Sequence, residues 1–270
     1  MFPANDAGRA EPGMVPADAV YAENLWKRFG PTTAVAGVTL RIPAGSFFGL
    51  VGPNGAGKTT ALSMMTGLLR PDAGTVWISG TDVWRDPVAA KASIGVLPEG
   101  LRLFDRLTGP ELLSYLGRLR RLDREVAESR AAELLAVLDL AGAGRTLIID
   151  YSTGMRKKIA LAAALLHNPR VLFLDEPFEG VDPVSAQMIR SVLDAFTGTG
   201  STVIFSSHVL ELVESTCDHV AVMNRGQVLA SGRTEQIRGG RTLQQAFLAM
   251  VGARPEDGSG RLPWLGSSSG

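Results

Sequence analysis

Nine residues, Gly52-Pro53-Asn54-Gly55-Ala56-Gly57-Lys58-Thr59-Thr60, spell a complete G-x-x-x-x-G-K-T loop. The residue types suit phosphate chemistry. Gly52, Gly55 and Gly57 open backbone conformations closed to other residues, so successive N–H groups can converge on phosphate oxygens. A helix start adds partial positive charge, and Lys58 adds a full charge that reaches the terminal phosphates. Thr59 brings the hydroxyl that ligates Mg²⁺ in such loops. The motif counts as more than a glycine-rich turn only between a strand and a helix. Ser46-Phe47-Phe48-Gly49-Leu50-Val51 suits a buried strand, and Ala61-Leu62-Ser63-Met64-Met65 has good helix formers. The loop therefore predicts a nucleoside triphosphate site.

Three further clusters bear on the same chemistry. Val171-Leu172-Phe173-Leu174-Asp175-Glu176-Pro177 is an apolar strand ending in two acids. In phosphate-loop enzymes the first acid, here Asp175, holds Mg²⁺, usually through water. Glu176 would then point at the terminal phosphate and orient an attacking water. Tyr151-Ser152-Thr153-Gly154-Met155-Arg156-Lys157-Lys158 precedes a helical run from Ile159 to His167. Ser152 or Thr153 can cap that helix, and Gly154 permits close backbone approach, which makes a second anion site. Ser206-Ser207-His208 closes a strand, on the ligand side of a parallel sheet.

The elements that must position these groups follow from patterning. Strands are expected at 20–26, 38–42, 75–78, 94–97, 171–175, 202–205, 220–223 and 227–229, several of them continuous apolar runs suited to a parallel sheet buried on both faces. Glu111 to Leu140 differs: Leu112, Leu113, Leu116, Leu119 and Leu122 recur at helical spacing. This segment reads as a helical insertion, and its arginines Arg118, Arg120 and Arg121 as a solvated face. Thr242 to Val251 reads as a short amphipathic helix. Residues 1–18 are expected to form a mobile tail and 258–270, rich in glycine and serine, a disordered end.

Composition narrows the function classes. Of 270 residues, 45% are hydrophobic and 20% charged, normal for a protein that buries a core. Lys+Arg and Asp+Glu both number 27, so no basic field points to nucleic acid. The single Cys217 excludes a disulfide framework within the chain and is expected to be a packed thiol. The longest apolar run, Ile159 to Leu166, falls well short of the roughly 18–20 residues that cross a bilayer. The start of the chain lacks the apolar stretch of a secretory signal. A soluble, cytoplasmic protein is expected, one that would need a partner if it serves a membrane.

Taken in order, the glycine loop, the 151–155 motif, the acid strand with Glu176, the loop Gly180-Val181-Asp182 and His208 resemble the ATP-binding subunits of ATP-binding-cassette (ABC) transporters, over about 19–252. The likeness is strongest to the exporter branch that pairs a separate ATPase chain with a membrane chain, through residues 151–155, 206–214 and Ala246-Phe247-Leu248. The resemblance implies an α/β fold: a P-loop ATPase core with a mainly parallel sheet, an antiparallel β subdomain and an inserted α-helical subdomain. It implies a nucleotide-binding domain at 19–235, with core 19–98 and 168–235 and helical subdomain 99–167, followed by a C-terminal helix and tail at 236–270.

It further implies ATP and Mg²⁺ as cofactors, and two copies of the domain closing head to tail around two ATP molecules. Each ATP would meet the loop of one copy, residues 52–60, and Ser152 and Gly154 of the other. Phe29 would stack on adenine, Asp182 would lie at the dimer seam, and His208 would contact the terminal phosphate. Glu176, His208 and Lys58 would carry catalysis; Thr59, Glu99 and Asp175 would serve the metal. Residues 101–105 would help form the groove for a membrane-spanning permease at the cytoplasmic face of the membrane. Two departures stand out: Glu99 where the family usually has glutamine, and Thr153 and Met155 where it has glycine and glutamine. A carboxylate remains a competent Mg²⁺ ligand. A soluble ABC ATPase acting on ribosomes or DNA is the other reading, disfavoured by the single cassette and the lack of a heptad insertion. A GTPase would need Asn-Lys-x-Asp, which is missing from the sequence.

Overall fold

The structure, a computed structural model, describes residues 18–100 and 102–252. The expected terminal tails, apart from Asp18, and Leu101 of the expected permease groove lie outside the described residues.

A six-stranded sheet organises the molecule, in the order β10-β9-β3-β8-β7-β6. Its members are β3 (Phe47–Val51), β6 (Ile94–Leu97), β7 (Val171–Asp175), β8 (Thr202–Ser207), β9 (His219–Asn224) and β10 (Gln227–Arg233). The neighbours from β6 to β9 pair in parallel, and β10 returns antiparallel to β9. Every residue of β3, β7 and β8 is buried, as expected of strands covered on both faces. Side chains alternate between two cores. Phe48, Leu50, Phe173 and Ile204 join one cluster, with Leu62 and Met65 of α1 (Lys58–Met65). Phe47, Val51, Leu174 and Phe205 join the other, beneath the remaining long helices.

A second, antiparallel sheet has the order β2-β1-β4-β5, from β1 (Asp18–Phe29), β2 (Thr32–Pro43), β4 (Ala73–Ile78) and β5 (Thr81–Asp82). Val20 sits opposite both Ile42 and Ile78, and all three are fully buried against α1 and the main sheet. β5 and the short α2 (Pro87–Ala92) were not expected from the sequence.

The expected helical insertion is three helices: α3 (Gly109–Leu119), α4 (Arg124–Val137) and α5 (Thr153–Leu165). The leucine spacing suggested one run through 111–140, but the chain breaks after Leu119, and Arg121 turns left-handed with φ 56°. Leu112 and Leu113 are buried, whereas Leu119 is 61% exposed. Thr108 starts α3 through a reciprocal capping box: Glu111 N–H donates to Thr108 Oγ1, and Thr108 N–H donates to Glu111 Oε2 at 2.8 Å. Further on come α6 (Pro183–Gly198), α7 (Leu210–Thr216), α8 (Thr234–Arg238) and α9 (Leu243–Met250). Thr242 caps α9, and Leu243 and Ala246 are buried on its inner side. Among the described residues no helix is long and apolar enough to cross a membrane. Cys217 is buried, and burial pushes its thiol well above the ordinary range.

Candidate nucleotide site

Because β3, β7 and β8 run in parallel, their C-terminal ends share one edge of the sheet, the edge where such folds bind ligands. Val51 pairs with Ser207, and Asp175 with Ser206. The glycine loop leaves β3 there and enters α1, with Gly57 as N-cap at φ 98°. A Cβ on Gly57 would lie 2.4 Å from the Ala34 carbonyl oxygen, so only glycine fits. The loop is anchored from below: Gly226 N–H donates to Ala56 O at 2.9 Å, and Ala36 N–H donates to Gly226 O at 2.8 Å. Ala56 is buried under it, while Pro53, Asn54 and Gly55 are exposed and Thr60 is half-buried in the first turn of α1.

Lys58 is 6% exposed. Its ammonium donates to Gly52 O at 2.8 Å and Pro53 O at 3.3 Å, and lies 3.7 Å from Glu176 Oε1. The same carboxylate oxygen is 3.1 Å from His208 Nδ1, at the end of β8. Lys58, Glu176 and His208, three residues far apart in sequence, thus meet at one carboxylate.

The backbone beneath that carboxylate is unusual. Glu176 has φ 46°, a left-handed conformation that residues with a Cβ adopt at a cost. Its N–H donates to Ser206 Oγ at 3.1 Å, and that hydroxyl donates to Asp175 Oδ1. Its carbonyl accepts from Lys157 Nζ at 2.7 Å. Neither Lys157 nor Ser206 was assigned a role from the sequence. Lys157 and Lys158 are each only 5% exposed.

The candidate metal ligands also converge. Thr59 Oγ1 is 3.4 Å from Glu99 Oε2. Both, with Asp175, line a cavity of about 160 Å³. A hydroxyl and two carboxylates are hard oxygen donors that suit Mg²⁺, which keeps several waters and takes the rest from phosphate. Among the described residues, no three His, Cys, Asp or Glu gather into a metal cage.

The remaining expected residues occupy separate places. Ser152, exposed, caps α5 by accepting Met155 N–H at 3.2 Å. A Cβ on Gly154 would stand 3.2 Å from Asp182 Oδ2 and Ser185 Oγ, so the start of α5 packs closely on the start of α6. Asp182 caps α6, accepting from Ser185 N–H at 2.9 Å and Val184 N–H at 3.1 Å. Hydrogen bonds from Ser185 hold its carboxyl below the usual range. Phe29 is 51% exposed at the end of β1, outside the core, with the Lys27 ammonium 5.8 Å from its ring centroid. Among the described residues, no hydrogen bond or ion pair joins Ser152, Gly154, Asp182 or Phe29 to the Lys58–Glu176–His208 cluster.

Sheet order, glycine loop and acid strand define an α/β phosphate-loop nucleotide-binding fold. The family model for ABC transporters matches residues 35–179. The linearmycin resistance ATP-binding protein LnrL of Bacillus subtilis is 38% identical over 79% of this chain and 68% of its own length. The daunorubicin resistance ATP-binding protein DrrA3 of Streptomyces coeruleorubidus is 39% identical over 82% and 70%. The bacitracin transport ATP-binding protein BcrA of Enterococcus faecalis is 38% identical over 80% and 70%. Among solved structures, an ATP-binding subunit of an ABC transporter superposes with a TM-score of 0.81 at 26% identity, covering 86% of this chain and 99% of that one. This chain belongs to the ABC transporter family, among its ATP-binding subunits.

Proposed function

We propose that the chain binds Mg-ATP and hydrolyses it as one half of a head-to-tail pair, driving a separate membrane-spanning permease that exports its cargo. The observation that carries this reading is the meeting of Lys58, Glu176 and His208 at one carboxylate, beside Thr59, Glu99 and Asp175. In this reading Lys58 leaves its loop carbonyls for the terminal phosphates. Glu176 accepts hydrogen bonds from the attacking water and aims it, and His208 holds both the carboxylate and the terminal phosphate. Mg²⁺, held by Thr59 with Asp175 and Glu99 close by, would neutralise charge that builds up on the leaving oxygens. The start of α5, where Ser152 is exposed and Gly154 lies buried against α6, would contact the ATP bound by the second copy, and Asp182 would sit at the seam. Phe29 would stack on adenine.

Export, a permease partner and a place at the cytoplasmic face of the membrane rest on the relatives, whose names describe antibiotic resistance and transport. The test is a pair of variants in the purified chain. Lys58→Ala should lose ATP binding. Glu176→Gln should keep it while hydrolysis falls roughly 10²- to 10⁴-fold. Wild-type turnover in Glu176→Gln would remove Glu176 from the mechanism. Co-purification with ribosomes or DNA, and with no membrane protein, would favour the soluble alternative.

A further inference from the structure

Helix α5 buries two lysines, and they differ in what they meet. Lys158 Nζ has Met188 Sδ at 4.0 Å. Lys157 Nζ donates to the main-chain carbonyl of Glu176 at 2.7 Å, which also accepts Glu179 N–H at 3.3 Å. A buried ammonium must replace its lost water with fixed partners. Here the carbonyl does so, helped by the charges of Glu179, Asp175, Glu176 and Glu99.

That carbonyl belongs to the residue whose backbone is held left-handed at φ 46°. Ser206 Oγ grips its N–H on one side of Cα, and Lys157 grips its C=O on the other. Two bonds flanking one Cα leave little freedom to the torsions that aim the side chain at Lys58 and His208. We propose that Lys157 is a positioning residue that locks the backbone of Glu176 and ties its carboxylate to the start of α5. The proposal rests on Glu176 orienting the attacking water, as set out above. Lys157 lies about one and a half turns beyond the cap Ser152. Movement of the helix start against a second copy's nucleotide would therefore pull on the carboxylate in this copy's own site.

The experiment compares Lys157→Met, which keeps length and bulk but removes the donor, with Lys157→Arg, which restores donor and charge. Steady-state ATPase should show kcat lowered roughly 10- to 100-fold in Lys157→Met, with the KM for ATP within about twofold of wild type, since phosphate binding does not use this lysine. Lys157→Arg should recover most of kcat. In the Glu176→Gln background, Lys157→Met should cost nothing further, because it acts through Glu176. An unchanged kcat in a folded Lys157→Met overturns the proposal. So does an equal fractional loss in the Glu176→Gln background, which would place the lysine's effect elsewhere. Wild-type turnover in Glu176→Gln alone would instead sink the reading of Glu176, and this inference with it. Should Lys157→Met not fold, Lys157→Ala supplies the same comparison, since it too removes the donor, and a folded Lys157→Ala with unchanged kcat overturns the proposal equally.

Discussion

Alanine in place of Gly57 isolates the demand that the phosphate loop makes on its backbone. Two costs add. Gly57 sits at φ 98°, where a Cβ raises the energy by about 1–2 kcal/mol. The new Cβ would also lie 2.4 Å from the Ala34 carbonyl, inside the 3.0 Å that real Cβ contacts respect. The obstacle is main chain: Ala34 belongs to β2, and Ala36, two residues on, is tied to Gly226. Relieving such a contact costs about 1–3 kcal/mol more, for a total of about 2–5 kcal/mol.

Gly55 supplies the control within the same loop. Its φ is 79°, but a Cβ there meets nothing within 4 Å, so only the backbone cost of about 1–2 kcal/mol applies. Urea unfolding of both variants, read as midpoint shifts at constant m-value, measures the difference directly. Gly57→Ala should also weaken ATP binding more than tenfold, since a displaced loop withdraws N–H donors. Equal destabilisation by the two substitutions, or full ATP affinity in Gly57→Ala, would refute this account of the loop.

Two further outcomes follow from other residues. His167 Nε2 lies 2.8 Å from Ile94 O, and Nδ1 is buried without a partner. Burial, then Arg120 and more weakly Arg130, push its pKa below the ordinary 6.5, against the opposing pull of the Ile94 carbonyl. The unfolded chain therefore takes up this proton first, and stability should fall as pH drops below about 6.5 toward the folded value. Between about pH 7.5 and 5.5 the urea midpoint of wild type should decline more steeply than that of His167→Gln; parallel declines would contradict it. Glu99→Gln removes one carboxylate beside Thr59, so the Mg²⁺ concentration giving half-maximal hydrolysis should rise several-fold, while an unchanged requirement would exclude Glu99 as a ligand.

The main sheet was legible because burial on both faces demands continuous apolar runs, which Phe47–Val51 and Val171–Leu174 supply. The glycine loop and acid strand were legible because phosphate chemistry tolerates few residue types there. The break after Leu119 was not: Leu119 and Leu122 keep the helical spacing across it, and only the fold shows Leu119 facing solvent. The short α2 and α8 carry too few residues for periodicity to register. Lys157 was illegible for another reason. Its burial depends on a carbonyl at the end of a strand distant in sequence, and on a backbone twist at Glu176 that no residue type announces. The proposed pairing of the capped α5 with a second copy's nucleotide has a sequence motif, but its geometry needs two chains.

Sedimentation of Glu176→Gln with Mg²⁺ and ATP tests that pairing most directly, alone and with the proposed membrane chain. With hydrolysis blocked, the chain alone should run at about twice its 28.6 kDa mass, hold two nucleotides per pair in either setting, and return to a single chain when Ser152→Arg is added to the chain alone. Nucleotide held by single chains in both settings, indifferent to Ser152→Arg, would contradict the account.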